Sequence, residues 1–167
     1  MKLDYVPHGL SEINEYYGNP DQDGNFELDL DWAQDRLKRY RLPFEMKLSW
    51  GDQYATHIKA HVLVGEVMID ALAEIRSYQG LQYLRDHRYD ELGGVWNFRK
   101  MGAYPALSTH SWGISIDETP HLGAYGAEPN MPDFIVSAFK DRGFNWGGDW
   151  GPKWPYDGQH FQACKNY

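Results

Sequence analysis

The sequence of 167 residues has little cysteine and little positive charge, and each shortage excludes a class of protein. Cys164 is the single cysteine, so an intrachain disulfide cannot form. Lys and Arg number 16 against 24 Asp and Glu, which gives a net charge of −8 without any basic run. Nucleic acid is therefore not expected as a partner. No stretch approaches the roughly 18 uninterrupted apolar residues of a membrane helix, so no membrane partner is expected either.

The N-terminal segment also lacks the features of an export signal. Its residues, Met1-Lys-Leu-Asp-Tyr-Val-Pro-His-Gly9, contain no apolar core and no cleavage site. The sequence therefore predicts a product made soluble in the cytoplasm without a signal peptide. Its length fits one domain, with a core that needs no disulfide.

The most informative feature is a pair of short motifs in the C-terminal part of the chain. The first is Ser108-Thr-His-Ser-Trp-Gly-Ile-Ser-Ile-Asp117, and the second is Asp157-Gly-Gln-His160. They read S-x-H-x-x-G-x-[AS]-x-D and D-x-x-H. A mononuclear zinc hydrolase needs three protein ligands, an open position for water and a nearby base, and these motifs supply that inventory.

Spacing limits how these residues meet one metal ion. His110 and Asp117 are seven positions apart, which means about 23 Å and opposite faces in a strand. In a helix they would lie about 10 Å apart along the axis. We therefore expect the chain to bend between them at Gly113. Asp157 and His160 are three apart, so one turn presents both. Imidazole and carboxylate ligands favour zinc, with iron, cobalt or manganese left open.

Hydrophobic periodicity predicts helices first and strands later, which indicates an α+β fold in a single catalytic domain spanning 1–167. An N-terminal helical part is predicted over 1–92, and a sheet part that carries the metal site over 93–167. The predicted helices cover 31–40, 54–78 and 130–142. The predicted strands cover 95–100, 113–117, 144–146 and 160–164.

Two other metal motifs fail on their chemistry. Asp21-x-Asp23-x-Asn25 resembles the start of a calcium loop, but Phe26 replaces the glycine that such a loop needs and Trp32 replaces its bidentate Glu. His57 and His61 have the spacing of a zinc-protease helix, but Ile58 stands where the catalytic Glu belongs. An ordinary polar loop is predicted for the first segment, and a structural role for the second.

The two metal motifs resemble those of the M15 metallopeptidases, which include D-alanyl-D-alanine carboxypeptidases and L-alanyl-D-glutamate endopeptidases. The block Gly93-Gly-Val-Trp-Asn-Phe-Arg99 is similar to the family's strand that delivers an arginine ahead of the metal motif. A second block, Gly143-Phe-Asn-Trp-Gly-Gly-Asp-Trp150, is similar to one typical of the phage-lysin and VanY-like branch. The resemblance implies a Hedgehog/DD-peptidase fold, with helices packed on a small antiparallel sheet. This chain departs from the wider family at Asp157, where Glu is common, and at Ser115, where Ala is common.

Carried over by position, the resemblance implies that one Zn²⁺ per chain is bound by His110, Asp117 and His160. Asp157 would be the catalytic base, and Arg99 would polarise the scissile carbonyl. Asp149 is a candidate for orienting a ligand histidine. Further candidates for substrate contact are Ser108, Trp112, Trp146 and Trp150.

The function predicted on this basis is hydrolysis of the peptidoglycan stem peptide, at the L-Ala–D-Glu bond, by a monomeric, endolysin-like enzyme that acts on the cell wall after release. One alternative is a D-Ala-D-Ala carboxypeptidase with the same metal site. Another is a catalytically silent wall-binding or virion-structural module. A structural zinc site would require Cys164 as a fourth ligand.

Overall fold

A six-stranded sheet forms the centre of the molecule, which we describe from a computed structural model covering residues 1–102, 104–152 and 154–167. The strands are β1 (Leu37–Leu48), β2 (Tyr54–His61), β3 (Glu91–Gly94), β4 (Ser115–Glu118), β5 (Asn145–Trp146) and β6 (His160–Gln162). The α-helices of the described residues are α1 (Gly9–Tyr17), α2 (Leu30–Arg36), α3 (Gly65–Asp86) and α4 (Asp133–Lys140). The predicted α+β class is confirmed.

The strand order is β2-β1-β3-β4-β6-β5, and the sheet does not close on itself. β1 and β3 run parallel, whereas every other neighbouring pair is antiparallel. The sheet is therefore mixed, which corrects the predicted antiparallel sheet. Parallel strands need a long connection between them, and here the chain passes from β1 through β2 and α3 before it reaches β3. This order places β4 directly beside β6, and these two strands carry the predicted ligands Asp117 and His160.

The N-terminal part is not helical throughout, because β1 and β2 form a long hairpin within it. The predicted helix over 54–78 is wrong in its first third, where Tyr54–His61 is a strand. Ile58 and Ala60 are buried there and alternate with exposed His57 and Lys59, which is the two-residue period of a strand. The helix begins only at Gly65.

The core lies where α3 packs against β1 and α4. Side chains of α3 at three- and four-residue spacing are buried there, namely Val67, Met68, Ala71, Leu72 and Ile75. The segment predicted as a strand over 95–100 forms no regular strand in the described residues and contributes one isolated bridge, from Lys100 to Leu107.

His61 is a core residue, in agreement with the structural role predicted for it. Its Nε2 donates to the Tyr17 carbonyl at 3.0 Å, and its Nδ1 accepts from the Leu63 N–H at 3.2 Å. A second ring proton, on Nδ1, would point at the Leu63 N–H, which is itself a donor, so this contact favours the neutral ring. Burial lowers the pKa of His61 to about 4, so the folded protein holds the ring neutral at pH 7.

This buried ring should make the protein less stable in acid. Between the unfolded pKa of about 6.5 and the folded value of about 4, the unfolded chain binds the additional proton, so the free energy of unfolding falls as the pH falls. The largest contribution is about 3 kcal/mol. Urea unfolding of the wild type and of His61→Gln at pH 7 and pH 4 should show a smaller loss in the variant. Equal losses would contradict this assignment.

Candidate metal centre

His110 lies on a short 3-10 turn, Thr109–Trp112, that is capped by the side chain of the preceding serine. The Ser108 side chain accepts a hydrogen bond from the His110 N–H, and Ser108 is itself buried. Gly113 then reverses the chain at φ +68°, the bend expected from the sequence. A Cβ at Gly113 would lie 2.9 Å from a Leu37 methyl and 3.0 Å from the His61 backbone nitrogen, so only glycine fits.

Asp117 and His160 face each other on adjacent strands, because β4 and β6 pair in a register that aligns them. The Asp117 Oδ1 lies 2.8 Å from the His160 Nδ1 and 3.2 Å from the His110 Nε2. Ligand atoms of these three residues all lie within 4.8 Å of one another. It is the only such group of metal-ligating side chains found among the described residues.

The outer nitrogens of both histidines are held by neighbouring acceptors. His110 Nδ1 donates to the Val95 carbonyl at 2.6 Å, and His160 Nε2 lies 3.0 Å from the Gln162 Oε1. These contacts turn His110 Nε2 and His160 Nδ1 toward Asp117. The buried His110 Nε2 makes no well-aligned hydrogen bond within the described chain. A buried nitrogen without a partner, next to a carboxylate and a second imidazole, fits a metal ligand.

The electrostatics of the cluster suit a cation. Burial alone would raise the pKa of Asp117, but its contacts with His110 and His160 hold that pKa well below the usual range. Burial would lower the pKa of His160, yet the Asp117 carboxylate beside it raises that pKa. The Asp117 carboxylate thus favours a positive charge at the His160 ring. A divalent cation would supply that charge in place of a proton.

Asp157 lies in the loop before β6, next to the cluster but outside its set of ligand atoms. Its carbonyl accepts from the His160 N–H at 3.0 Å, and its N–H donates to the Gly147 carbonyl at 3.1 Å. Its Oδ1 accepts from Gln159 Nε2 at 3.2 Å, which leaves Oδ2 without a hydrogen bond in the described residues. Burial raises the pKa of Asp157, which favours proton uptake at this carboxylate.

A cavity of about 420 Å³ opens beside the cluster. Arg99 lines it together with His110 and Asp117, so the predicted arginine shares a space with two predicted ligands. The Arg99 N–H donates to the Ser111 Oγ at 3.0 Å, which ties this segment to the 3-10 turn. The other lining residues are Trp50, Gly93, Gly94, Val95, Trp96 and Asn97.

Three tryptophans were predicted to contact substrate, and the structure places them differently. Trp112 is 1% exposed and its Nε1 donates to the Gly18 carbonyl, which is a core position. The half-buried Trp146 donates through Nε1 to the Gly158 carbonyl. The ring of Trp150 lies 5.6 Å from the His160 ring, so this residue borders the cluster. None of the three lines the cavity, whereas Trp50 and Trp96 do.

Two further predicted side chains lie away from the cluster. Asp149 forms an ion pair with Lys140 at 2.7 Å and is about half exposed, so orienting the histidines falls to Val95 and Gln162 instead. Cys164 is fully buried and lies outside the group of ligand atoms in the described chain. Its burial raises the pKa of the thiol, which disfavours the thiolate that a fourth zinc ligand would require.

Among the described residues, no helix has both the length and the apolar character needed to cross a membrane.

Comparison with known proteins gives a family for the segment that carries the cluster. Residues 102–163 match the family model described as D-alanyl-D-alanine carboxypeptidase, a model of peptidase family M15. No curated protein and no solved structure matches the chain. The matched segment contains His110, Asp117, Asp157 and His160. The resemblance predicted from the motifs is therefore confirmed for this segment, which is similar to the peptidases of family M15.

Proposed function

We propose that this protein is a zinc-dependent, endolysin-like enzyme that hydrolyses the L-Ala–D-Glu bond of the peptidoglycan stem peptide. The observation that carries the proposal is the division of labour at the cluster. His110, Asp117 and His160 converge on one point, while the neighbouring Asp157 stays outside their ligand atoms with a free Oδ2. A structural metal site has no use for such a carboxylate, whereas a hydrolytic site needs it.

The donor set fits zinc, since two imidazole nitrogens and one carboxylate oxygen are ligands that zinc accepts readily. His110 would bind through Nε2 and His160 through Nδ1, because their other nitrogens are engaged by Val95 and Gln162. When bound, zinc supplies Lewis acidity that lowers the pKa of water and polarises a carbonyl.

Asp157 is assigned the proton transfers. Its raised pKa brings the carboxylate closer to neutral pH, where a general base and acid works best. Oδ2 accepts the proton of the attacking water and then delivers it to the nitrogen of the leaving amine. Gln159 holds Oδ1 and thereby fixes the direction in which Oδ2 points.

Arg99 is assigned to the substrate carbonyl. Arg99 lines the cavity together with His110, and its guanidinium, which donates to the Lys100 carbonyl at 3.3 Å, carries a fixed positive charge with several further donors. In that position it donates hydrogen bonds to the oxygen on which negative charge develops during attack. Donors already in place at such an oxygen stabilise a transition state most effectively.

A D-Ala-D-Ala carboxypeptidase is the second candidate, and the description of the matched family favours it. The same cluster, base and arginine would serve that reaction. The two enzymes differ in the bond presented to the metal, because a carboxypeptidase must also bind the free carboxylate at the end of its substrate.

Mass spectrometry of purified peptidoglycan fragments tests the proposal. Fragments are incubated with zinc-loaded protein, with and without a chelator. Chelator-sensitive release of peptides with new D-Glu amino termini is the expected result. Loss of only a terminal D-Ala would replace the proposal with the carboxypeptidase. Zinc binding without any cleavage would indicate a non-catalytic wall-binding role.

A further inference from the structure

Trp50 is an exposed tryptophan beside the metal cluster. It lies in the turn between β1 and β2, far from the metal motifs in sequence, and it is 65% exposed. Even so, it lines the cavity that His110 and Asp117 also line. An exposed indole at the edge of a polar cavity offers a flat apolar surface to whatever enters.

The turn that carries Trp50 is anchored on both sides. The Ser49 N–H donates to the Leu92 carbonyl of β3 at 3.1 Å, and the Leu48 N–H donates to the Gln53 carbonyl at 2.8 Å. An ion pair between Lys47 and Asp52, at 3.5 Å, also crosses the turn. The backbone at Trp50 is therefore held next to β3, so binding a ligand there requires little ordering of the turn.

Glycine leaves room between Trp50 and the metal cluster. Both Gly93 and Gly94 line the cavity, and a side chain added at Gly94 would meet no atom within 4 Å, whereas a Cβ at Gly93 would lie 2.8 Å from the Asp117 Cβ. Two positive charges border this cavity: Arg99 lines it and is used at the scissile carbonyl in the proposed mechanism, and the Lys59 Nζ lies 4.0 Å from the ring centroid of Trp96, another lining residue. The indole of Trp50 itself is flat and apolar and is 65% exposed at this end of the cavity.

We propose that Trp50 forms a sugar subsite that takes the N-acetylmuramic acid residue to which the stem peptide is attached. This inference rests on the proposed L-Ala–D-Glu cleavage. That bond is one residue from the muramic acid, so a peptide placed at the metal brings its sugar ring to the edge of the cavity. A pyranose ring presents C–H groups that pack on an indole without opposite charge. The net charge of −8 disfavours the anionic polymers of a cell wall as the occupant.

Two synthetic substrates separate the sugar contact from the peptide contacts. One is N-acetyl-L-Ala-D-Glu-L-Lys, and the other is N-acetylmuramoyl-L-Ala-D-Glu-L-Lys; both present an amide at the alanine nitrogen. For the zinc-loaded wild type we expect kcat/KM to be about tenfold higher with the sugar, as one good aromatic contact would give. In Trp50→Ala this ratio should fall to near one.

Tyr54→Ala is the matched control, because Tyr54 is 52% exposed on the same hairpin but does not line the cavity. Its substrate ratio should equal that of the wild type. An unchanged ratio in Trp50→Ala would overturn the subsite, and so would an equal loss on both substrates, which would assign Trp50 to the peptide.

The two proposals can also fail separately. If the wild type cleaves neither substrate, the proposed function fails, and NMR titration with N-acetylmuramoyl-L-Ala-D-Glu then tests the subsite alone. Weaker binding by Trp50→Ala than by Tyr54→Ala would still support the sugar contact. Equal binding by the two variants would overturn it.

Discussion

Replacing Asp157 with Asn is expected to lower kcat by about 10²–10⁴-fold while leaving the zinc content of the protein unchanged. The amide keeps the size of the side chain and can still accept a hydrogen bond from Gln159 through Oδ1. It cannot take up a proton at the position of Oδ2, so the proton transfers fail. Asp157 contributes no atom to the ligand cluster, so zinc should remain bound. Cleavage kinetics on soluble stem peptide and elemental analysis of the purified variant provide the two measurements.

His160→Ala is the comparison that gives this result its meaning. It removes one of the three ligands, and we expect this variant to lose zinc as well as activity. If His160→Ala loses both zinc and activity while Asp157→Asn loses only activity, then His160 is a ligand and Asp157 is the base. Comparable zinc loss in the two variants would make Asp157 a ligand and overturn the assigned role.

The metal cluster could be predicted because its geometry is largely local. Ser108, His110 and Gly113 lie within six positions, and the cap, the 3-10 turn and the reversal at φ +68° follow from short-range sterics and hydrogen bonding. The approach of His160 to Asp117 is a long-range event, and the sequence indicated it only through the second motif. Pairing of β4 with β6 supplies the physical reason for their contact.

The aromatic wall of the cavity could not be predicted from the same motifs. Trp112 is adjacent to a ligand in sequence, but the 3-10 turn directs its ring into the core, toward the Gly18 carbonyl. Trp50 is 60 positions from His110 and reaches the cavity because β1 pairs with β3, beside the glycines that line it. Proximity in sequence was a poor guide here, because side-chain direction depends on local backbone geometry and on strand order.

The error at 54–61 has a similar origin. Ile58 and Val62 have a four-residue spacing that suits a helix, and the real helix α3 follows closely at Gly65. A single helical pattern was therefore extended across a strand whose own alternation spans only a few residues. What makes this segment a strand is its pairing with β1, from Leu37↔His61 to Lys47↔Tyr54. Tertiary pairing overrides such a short local signal.

Replacing Gly147 with Ala is expected to lower kcat by about 100-fold, although this residue is neither one of the three ligands nor among those that line the cavity. The backbone of Asp157 packs closely against Gly147. A Cβ added at Gly147 would lie 3.1 Å from the Asp157 carbonyl carbon and closer still to the carbonyl oxygen. The Asp157 N–H also donates to the Gly147 carbonyl at 3.1 Å. Because the clash is with backbone, the loop has to move, and a displacement of about 1 Å misplaces the base.

Gly51→Ala is the matched control for this substitution, because a Cβ at Gly51 would meet no atom within 4 Å. Its kcat on N-acetyl-L-Ala-D-Glu-L-Lys should equal that of the wild type. Both variants are compared by kinetics on that peptide and by elemental analysis, with circular dichroism to verify folding. A folded, zinc-loaded Gly147→Ala with wild-type kcat would contradict the argument. It would mean that the position of Asp157 does not depend on its close approach to Gly147. Gly147 and Gly148 would then serve only the turn before Trp150.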